Sequence, residues 1–285
     1  MSTYIVISLV VTVVILAVYA ALPRLLAWRG VMLVPRTKFG PALIFDSEDA
    51  GGAPIRLLNV GNTFQSVSYV DEAIQDELPC IYHRSFADVM ARAGRVRDVL
   101  VVGGGGFSYP RYLVAHDDDV RVDAVEIDPA VIKIAREHFF LDRAEAGAAG
   151  RLNVVCGDGW THLREHHGEY DVVVNDAFSG SRPLGPLSTE EGARVVHENL
   201  RDGGLYLANL RCPLEGRRSR ALDATLVTFA REFAHVWLIP EWPDQPRTLA
   251  NNALVACDRE LDLGAGAIAW HDGWREELAR LEVTS

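Results

Sequence analysis

Val99-Leu100-Val101-Val102, followed at once by Gly103-Gly104-Gly105-Gly106, is the stretch that decides the fold. Four consecutive apolar residues that end at a glycine run are typical of a buried parallel strand leading into a tight turn. A second apolar run, Val122 to Ile127, follows and carries Glu126 near its end. A carboxylate at that point can accept both hydroxyls of a ribose that lies over the strand ends. The pattern therefore predicts an adenosine-type cofactor bound by Glu126 and by the glycine turn, Gly103, Gly104 and Gly105.

Strand-like and helix-like segments alternate from Val96 onward, which is the pattern of a doubly wound, mostly parallel α/β sheet. Further strands are predicted at Leu152–Cys156, Tyr170–Asn175, Gly204–Leu210, Val236–Ile239 and Asn252–Cys257. Helices are predicted at Tyr109–His116, Pro129–Phe139, Trp160–His166, Thr189–Leu200 and Ser219–Phe233. Residues 96–285 are thus expected to form one Rossmann-like cofactor-binding domain.

The region before this domain, residues 29–95, is interpreted as a linker and a small N-terminal β unit. A first strand is expected at Ala42–Phe45, followed by a flexible turn at Asp49-Ala50-Gly51-Gly52. The loose alternation of apolar and polar residues between Ile55 and Val70 predicts a β-hairpin.

Tyr4 to Leu22 is an uncharged run of nineteen residues that predicts a transmembrane helix. At ~1.5 Å per residue it is about 28 Å long, close to the thickness of a bilayer's hydrocarbon core. A cleaved signal peptide is the alternative, but a basic region before the run is missing and Pro23-Arg24 is a poor cleavage context. The basic residues after the run should stay in the cytoplasm. We therefore expect residues 1–28 to anchor the chain in the lipid bilayer of the cell membrane by a single pass, with a cytoplasmic catalytic domain.

The charge of the remaining chain argues against a nucleic-acid partner. Residues 41–285 hold 24 basic against 39 acidic residues, a net charge of −15, and binding to nucleic acid requires a basic face. The four cysteines, Cys80, Cys156, Cys212 and Cys257, form no C-x-x-C pair. They indicate neither a zinc site nor a disulfide framework, so no metal is expected.

Polar residues follow two further strands at the edge where ligands of open α/β sheets bind. Asp158 stands between two glycines, where it can accept a hydrogen bond from an adenine amino group or simply cap a helix. Asp176 ends the strand Tyr170–Asn175 and can hold or deprotonate an amine. Phe178, two residues further, can pack against the cofactor or a substrate cation.

Several of these stretches together resemble the successive motifs of spermidine synthases, the polyamine aminopropyltransferases, between about residues 55 and 257. The stretches are Gly103-Gly104-Gly105, Val125-Glu126-Ile127-Asp128, Gly157-Asp158-Gly159 and Tyr170-Asp171-Val172-Val173-Val174-Asn175-Asp176. Ile81-Tyr82-His83 resembles the substrate segment of that family, and Gln65 resembles its N-terminal glutamine. The resemblance implies a class I methyltransferase fold that binds decarboxylated S-adenosylmethionine or S-adenosylmethionine itself. It also implies a possible homodimer.

Three positions depart from the family pattern, and each lacks an expected acid. Gly106 replaces an Asp in the glycine turn, Arg84 replaces the Glu after Tyr-His, and Ser179 replaces the second Asp of the fourth strand exit. Fewer carboxylates favour a cofactor that keeps its own carboxylate, which is intact S-adenosylmethionine. The stretch from Gly103 to Leu113 together with Asp176-Ala177-Phe178-Ser179-Gly180 resembles the membrane-linked, spermidine-synthase-like proteins.

The first hypothesis is therefore an S-adenosylmethionine-dependent methyltransferase with a small-molecule or membrane-associated acceptor. The alternative is an aminopropyltransferase that uses decarboxylated S-adenosylmethionine, and the third is a cofactor-binding module without catalysis. Asp176 and Tyr82 are the predicted catalytic residues, although Tyr82 can also be a core residue. The predicted cofactor-binding residues are Gly103, Gly104, Gly105, Glu126, Asp158 and Gln65, and the predicted substrate residues are His83, Phe178 and Ser179.

Overall fold

The computed structural model describes residues 7, 11–13, 21–179, 182–183, 185–271 and 273–278. The chain divides into two compact units, Met1–Gln75 and Asp76–Ser285. The second unit begins twenty residues before position 96, where the sequence placed the start of the cofactor-binding domain, because a helix at Ile81–Arg92 belongs to it.

The first unit contains an antiparallel meander of four strands in the order β1-β2-β3-β4. The strands are β1 (Val31–Thr37), β2 (Gly40–Glu48), β3 (Pro54–Val60) and β4 (Thr63–Tyr69). Ala42 and Leu58 are fully buried, which fits the alternation of inward and outward residues along antiparallel strands. The hairpin predicted from the sequence corresponds to β3 and β4, whereas β1 was assigned to the linker.

Residues 21–28 of the first unit are helical. Among the residues that the structure describes, no helix is long and apolar enough to cross a membrane. Most of the predicted anchor, Tyr4 to Leu22, lies outside the described residues.

The second unit is built on a sheet of eight strands in the order β14-β12-β13-β11-β8-β5-β6-β7, within the described part of the chain. The strands are β5 (Asp98–Val102), β6 (Arg121–Glu126), β7 (Leu152–Cys156), β8 (Tyr170–Asn175), β11 (Leu200–Cys212), β12 (His235–Ile239), β13 (Ala250–Cys257) and β14 (Ile268–Ala269). Strands β5, β6, β7, β8 and β11 are parallel, whereas β13 runs antiparallel to both β11 and β12. A separate pair, β9 (Phe178–Ser179) and β10 (Arg182–Pro183), follows β8.

The helices of the second unit connect these strands. They are α1 (Ile81–Arg92), α2 (Ser108–His116), α3 (Pro129–His138), α4 (Leu141–Gly147), α5 (Gly159–Glu165), α6 (Glu190–Asn199) and α7 (Arg220–Ala230). Asp128 caps α3 by accepting a hydrogen bond from the Ala130 N–H, and Pro129 takes the first helical position. The predicted Rossmann-like, doubly wound fold is therefore confirmed, while α1 and α4 are additions to it.

The chain changes the direction in which it adds strands to the sheet between β5 and β8, and the predicted ligand site lies at this point. The chain leaves β5 for β6 on one side and returns to β8 on the other, so the loops after β5 and β8 diverge. Ligands of open α/β sheets bind in the crevice that this divergence creates. Val99, Val101, Val172 and Val174 on these two strands are almost entirely buried, which fixes the two loops on a rigid base.

Candidate active site

Gly103 lets the ends of β5 and β8 lie against each other. Its φ of +96° is a conformation that L side chains rarely adopt. A Cβ at this residue would lie 2.7 Å from the Asp176 carbonyl oxygen and 2.8 Å from the Ala177 Cα atom. Glycine is therefore required here by the close approach of two backbone segments of the same chain.

Glu126, at the end of β6, binds the neighbouring glycine turn. Its Oε2 accepts hydrogen bonds from the Gly104 and Gly105 N–H groups at 3.0 and 3.2 Å, and its Oε1 accepts one from the Asp128 N–H at 2.9 Å. The sequence analysis assigned the glycine amides to a ligand, but these two amides are held by Glu126. Because an ionised carboxylate offers about four acceptor positions, one remains for a ribose hydroxyl. The ribose contact stays a prediction.

The burial of Glu126 raises its pKa above the ordinary value, and the nearby Asp128 carboxylate adds to this effect. The three backbone hydrogen bonds act in the opposite direction. The carboxylate is thus placed at the strand end at an electrostatic cost that its hydrogen bonds partly offset.

Asp158 caps helix α5. Its Oδ1 accepts hydrogen bonds from the N–H and the hydroxyl of Thr161, at 2.8 and 3.1 Å. The side chain is exposed. The helix-cap alternative describes this residue in the structure, and a contact with adenine stays a prediction.

Asp176, just after β8, is the centre of a four-residue cluster. Its Oδ2 accepts a hydrogen bond from the Tyr82 hydroxyl at 2.9 Å and lies 2.9 Å from the His83 Nε2. Its Oδ1 accepts a hydrogen bond from the Asn209 Nδ2 at 3.0 Å. We call Asp176, Tyr82, His83 and Asn209 the Asp176 cluster. The three partners hold the carboxylate in one orientation at the point where the strand order reverses.

Helix α1 brings Tyr82 and His83 to Asp176 across a large separation in sequence. Both side chains lie in the first turn of the helix and are buried. The His83 ring stacks on the Tyr109 ring of α2, with centroids 5.1 Å apart and planes 20° apart. The Tyr82 ring packs edge-on against Phe86. These aromatic contacts fix both side chains before any ligand binds.

The hydrogen bonds of the Asp176 cluster determine which His83 nitrogen carries a proton. An ionised carboxylate only accepts hydrogen bonds, so the proton between His83 and Asp176 lies on Nε2. Among the described residues, the buried Nδ1 has no hydrogen-bond partner.

The pKa values of two neighbouring groups keep them protonated. Burial raises the pKa of Tyr82 well above its usual range, and the charge of Asp176 adds to this effect. Burial also raises the pKa of Cys80 to about 12, followed in importance by the carboxylates of Asp176 and Glu241. Tyr82 therefore stays a hydrogen-bond donor, and Cys80 is not a nucleophile at neutral pH.

The sequence analysis missed Asn209, although the same rule could have found it. Asn209 is a buried polar residue near the carboxyl end of β11, and the parallel pairing of Ala208 with Asn175 places it beside Asp176. Asn209 was not predicted as a site residue because it lies within an otherwise apolar run of a fifth parallel strand, and only the ends of the first four strands were used for the prediction.

The remaining predicted residues are placed as follows. Gln65 lies on β4 in the first unit, where it is exposed. Phe178 and Ser179 form the short strand β9, and their side chains lie outside the described part of the structure. In the described residues no group of three or more His, Cys, Asp or Glu side chains is arranged to hold a metal ion. The four cysteines are free thiols.

The fold and the site define a class of protein. A mostly parallel sheet with an antiparallel β13, a glycine turn, an acidic strand end and a held carboxylate together define a Rossmann-like α/β fold of the class I methyltransferase type. Comparison with known proteins narrows the class. Residues 79–246 match the family model described as spermine/spermidine synthase domain. The chain belongs to the spermine/spermidine synthase family, as its resemblance to that family suggested, and it is a transferase enzyme.

Individual relatives agree with this assignment. The polyamine aminopropyltransferase of Thermoanaerobacter sp. (strain X514) is 27% identical over 240 residues, which cover 83% of this chain and 82% of that protein. The fold is similar to that of a probable spermidine synthase from Corynebacterium glutamicum ATCC 13032, with a TM-score of 0.67, 20% identity and coverage of 87% of this chain and 85% of that one. A spermidine synthase in complex with the transition state analogue AdoDATO has a TM-score of 0.62 at 18% identity, covering 80% and 74% of the two chains.

Proposed function

We propose that this chain transfers an aminopropyl group from decarboxylated S-adenosylmethionine to an amine. The Asp176 cluster carries this proposal, because a carboxylate held in place by hydrogen-bond donors at the crevice of the sheet is suited to binding an ammonium group. The similarity to proteins named polyamine aminopropyltransferase supports it. The first hypothesis from the sequence, methyl transfer from S-adenosylmethionine, has less support than this alternative.

The cofactor would supply an electrophilic carbon beside a sulfonium ion. The nitrogen–carbon bond forms as the carbon–sulfur bond breaks, and sulfur keeps the bonding electron pair and leaves as a neutral thioether. The attacking amine must reach this carbon with a free electron pair and in line with the breaking bond. Most of the acceleration then comes from alignment of the two reactants.

Asp176 would prepare the amine for this attack. An alkyl ammonium has a pKa of about 10, so it must lose a proton before it can attack at neutral pH. Asp176 binds the ammonium and takes up one of its protons, so that the neutral amine attacks with a free electron pair, while Tyr82 and Asn209 keep the two carboxylate oxygens in place. General-base assistance of this kind typically contributes about 10²- to 10⁴-fold in rate.

The charges around the site fit a cofactor whose side chain ends in an ammonium group without a carboxylate. The carboxylates of Asp176 and Glu241 both raise the pKa of Tyr82 and of Cys80, so both act on the same small region. A negative potential attracts an ammonium and repels a second carboxylate. The net charge of −11 for the whole chain acts in the same direction.

The test is to incubate the full-length chain with putrescine and either cofactor, and to identify the nucleoside product by mass spectrometry. We expect methylthioadenosine from decarboxylated S-adenosylmethionine, and little or no S-adenosylhomocysteine from the intact cofactor. S-adenosylhomocysteine together with a methylated acceptor would overturn the proposal in favour of methyl transfer. If calorimetry detects cofactor binding but neither incubation yields a nucleoside product, the proposal is wrong and the interpretation as a cofactor-binding module without catalysis replaces it.

A further inference from the structure

Arg211 lies on the same face of the sheet as the Asp176 cluster. It is exposed near the carboxyl end of β11, between the buried residues Leu210 and Cys212. Side chains alternate between the two faces of a strand, so Arg211 shares a face with Asn209, which binds Asp176. The two Cα atoms are about 7 Å apart along the strand. A guanidinium group therefore lies within the reach of a small molecule whose amine is bound at Asp176.

The strand next to Arg211 contributes polar groups to the same region. Arg211 pairs with Asn251 of β13, so these two side chains also share a face. The N–H of Asn251 donates a hydrogen bond to the Glu241 Oε2 at 2.6 Å. Glu241 is the carboxylate that acts together with Asp176 on Tyr82. The region thus contains two acids, Asp176 and Glu241, and Arg84 also acts on it, because its charge lowers the pKa of Cys80 against their effect.

Arg211 itself forms no ion pair or hydrogen bond with another side chain in the described part of the chain. Arg275 binds Asp223, and Arg201 binds Asp98 and Asp171, whereas exposed arginines such as Arg121 share this lack of a side-chain partner, so Arg211 is distinguished by its place beside the Asp176 cluster. The planar guanidinium group binds carboxylates with two parallel hydrogen bonds, which gives both affinity and orientation. A free guanidinium beside the proposed reaction centre is suited to an anionic group of a ligand.

The strand order places this group on the acceptor side of the site. The nucleoside-binding residues follow β5, β6 and β7, whereas Arg211 lies on β11, beyond β8. Neighbouring strands are about 4.8 Å apart, so Arg211 lies about 10 Å from the glycine turn in the direction away from Glu126. An anionic group bound there belongs to the molecule that receives the transferred group.

We propose that Arg211 binds a carboxylate of the acceptor, so that the acceptor is an amine that also carries a carboxylate. This inference rests on the proposed function and names the substrate class for that site. An amino acid with a terminal amine on a three- or four-carbon side chain carries both of the groups that this arrangement requires. The amine is held at Asp176 and the carboxylate at Arg211.

Two pairs of acceptors test this proposal directly. Ornithine differs from putrescine, and lysine from cadaverine, by a single carboxylate. The experiment measures kcat/KM for all four compounds with decarboxylated S-adenosylmethionine, using the full-length chain and its Arg211→Gln, Arg211→Lys and Arg211→Glu variants. Arg121→Gln is the matched control. Arg121 is an exposed arginine at the amino end of β6, whereas Arg211 lies near the carboxyl end of β11 in the same sheet.

We expect the unmodified chain to prefer the amino acid in each pair. Arg211→Gln should lower kcat/KM for ornithine by about 10- to 100-fold, mainly through KM, and change the value for putrescine by less than about threefold. Arg211→Lys should restore part of the loss, and Arg211→Glu should reverse the preference toward the diamine. Arg121→Gln should leave all four values unchanged.

Other results would overturn the proposal in distinguishable ways. Preference for putrescine in the unmodified chain, with no selective effect of Arg211→Gln, shows that the acceptor is a plain amine, while the proposed aminopropyl transfer stands. Weaker binding of the cofactor to Arg211→Gln in calorimetry assigns Arg211 to the cofactor instead. If the unmodified chain binds neither cofactor, the proposed function fails, and this inference fails with it. Thermal melting of each variant separates these results from loss of folding.

Discussion

Two aspartates at opposite ends of strand β8 differ in what their partners do with the negative charge. Asp171, near the start of the strand, accepts hydrogen bonds from the N–H groups of Arg97 and Asp98 at 2.8 and 3.0 Å. It also forms an ion pair with Arg201 at 3.0 Å. Asp176, just after the end of the strand, is held by the hydroxyl, imidazole and amide groups of the Asp176 cluster.

We interpret this difference as the one between a structural carboxylate and the proposed functional one. The charge of Asp171 is neutralised by a guanidinium and joins β8 to the start of β5 and to β11. The charge of Asp176 is oriented by hydrogen-bond donors without a permanent cation among the described residues, so it remains able to attract one. Asp171 lies on the buried strand β8 and Asp176 directly follows it, so variants at the two positions share one scaffold and can be compared directly.

The largest effect is expected for Asp176→Asn. The amide keeps the shape of the side chain but cannot take up a proton, so kcat should fall by about 10²- to 10⁴-fold, or about 3–5 kcal/mol in the barrier. Steady-state kinetics with decarboxylated S-adenosylmethionine checks this. Asp171→Asn is the matched control and should retain kcat. Equal loss of kcat in both variants would remove the distinction between the two aspartates.

The second largest effect is expected for Gly103→Ala, because Gly103 lies against the backbone of Asp176. Gly103→Ala places a Cβ against the Asp176 carbonyl oxygen and imposes a positive φ on alanine, so we expect a loss of about 2–3 kcal/mol in the free energy of unfolding. Urea denaturation measures this loss. Gly150→Ala is the control: its φ is +84° and no atom lies within 4 Å of the added Cβ. A loss as large in the control would show that φ alone, and not the contact with Asp176, requires glycine.

The contrast between the two ends of β8 was only partly visible in the sequence. The strands Leu152–Cys156 and Tyr170–Asn175 have the bounds predicted, because each is an apolar run bordered by residues that favour turns. Asp176 was found by the rule that ligands bind at the carboxyl ends of strands. The ion pair of Asp171 with Arg201 was not predicted, because the two residues meet only through the pairing of β8 with β11.

The elements that the sequence analysis missed lack local signals. Helix α1 is preceded by Cys80, whose side chain makes no capping hydrogen bond, and helix α4 is preceded by Phe140 in a left-handed conformation. Neither start shows the Ser, Thr, Asp or Asn that usually marks a helix N-terminus. The family resemblance drew attention to Tyr82 and His83, but their contact with Asp176 depends on the tertiary packing of α1.

A smaller effect is expected at the structural end of β8. Asp171→Ala removes the two backbone hydrogen bonds and the ion pair, and since the side chain is partly exposed we expect a loss of about 1–2 kcal/mol at pH 7. Burial alone would raise the pKa of Asp171, but the hydrogen bonds from Asp98 and Arg97 and the pairing with Arg201 lower it below 3.8.

Because the pKa of Asp171 is lowered in the folded state, its contribution to the free energy of unfolding depends on pH. A carboxyl group whose pKa is lower in the folded state stabilises the fold above its unfolded pKa, and this stabilisation is lost as the pH falls through the folded value. The difference in unfolding free energy between the original chain and Asp171→Ala should therefore be full at pH 7 and shrink below about pH 4. Urea titrations at several pH values measure it. A difference that stays constant down to pH 2 would show that the hydrogen bonds, and not the charge, account for the effect.

The smallest effect is expected for Tyr82→Phe, which tests whether the orientation of Asp176 matters separately from its charge. The variant keeps the ring packing against Phe86 and removes one hydrogen bond to a carboxylate that two other donors still hold. We expect kcat to fall by about 3- to 10-fold, which corresponds to about 1 kcal/mol. Because burial and Asp176 raise the pKa of Tyr82, the ratio of the two rates should stay constant from pH 7 to pH 9. A ratio that changes over this range would mean that the phenol ionises during the reaction and exchanges a proton itself, which would make Tyr82 a catalytic acid or base instead of a residue that positions Asp176.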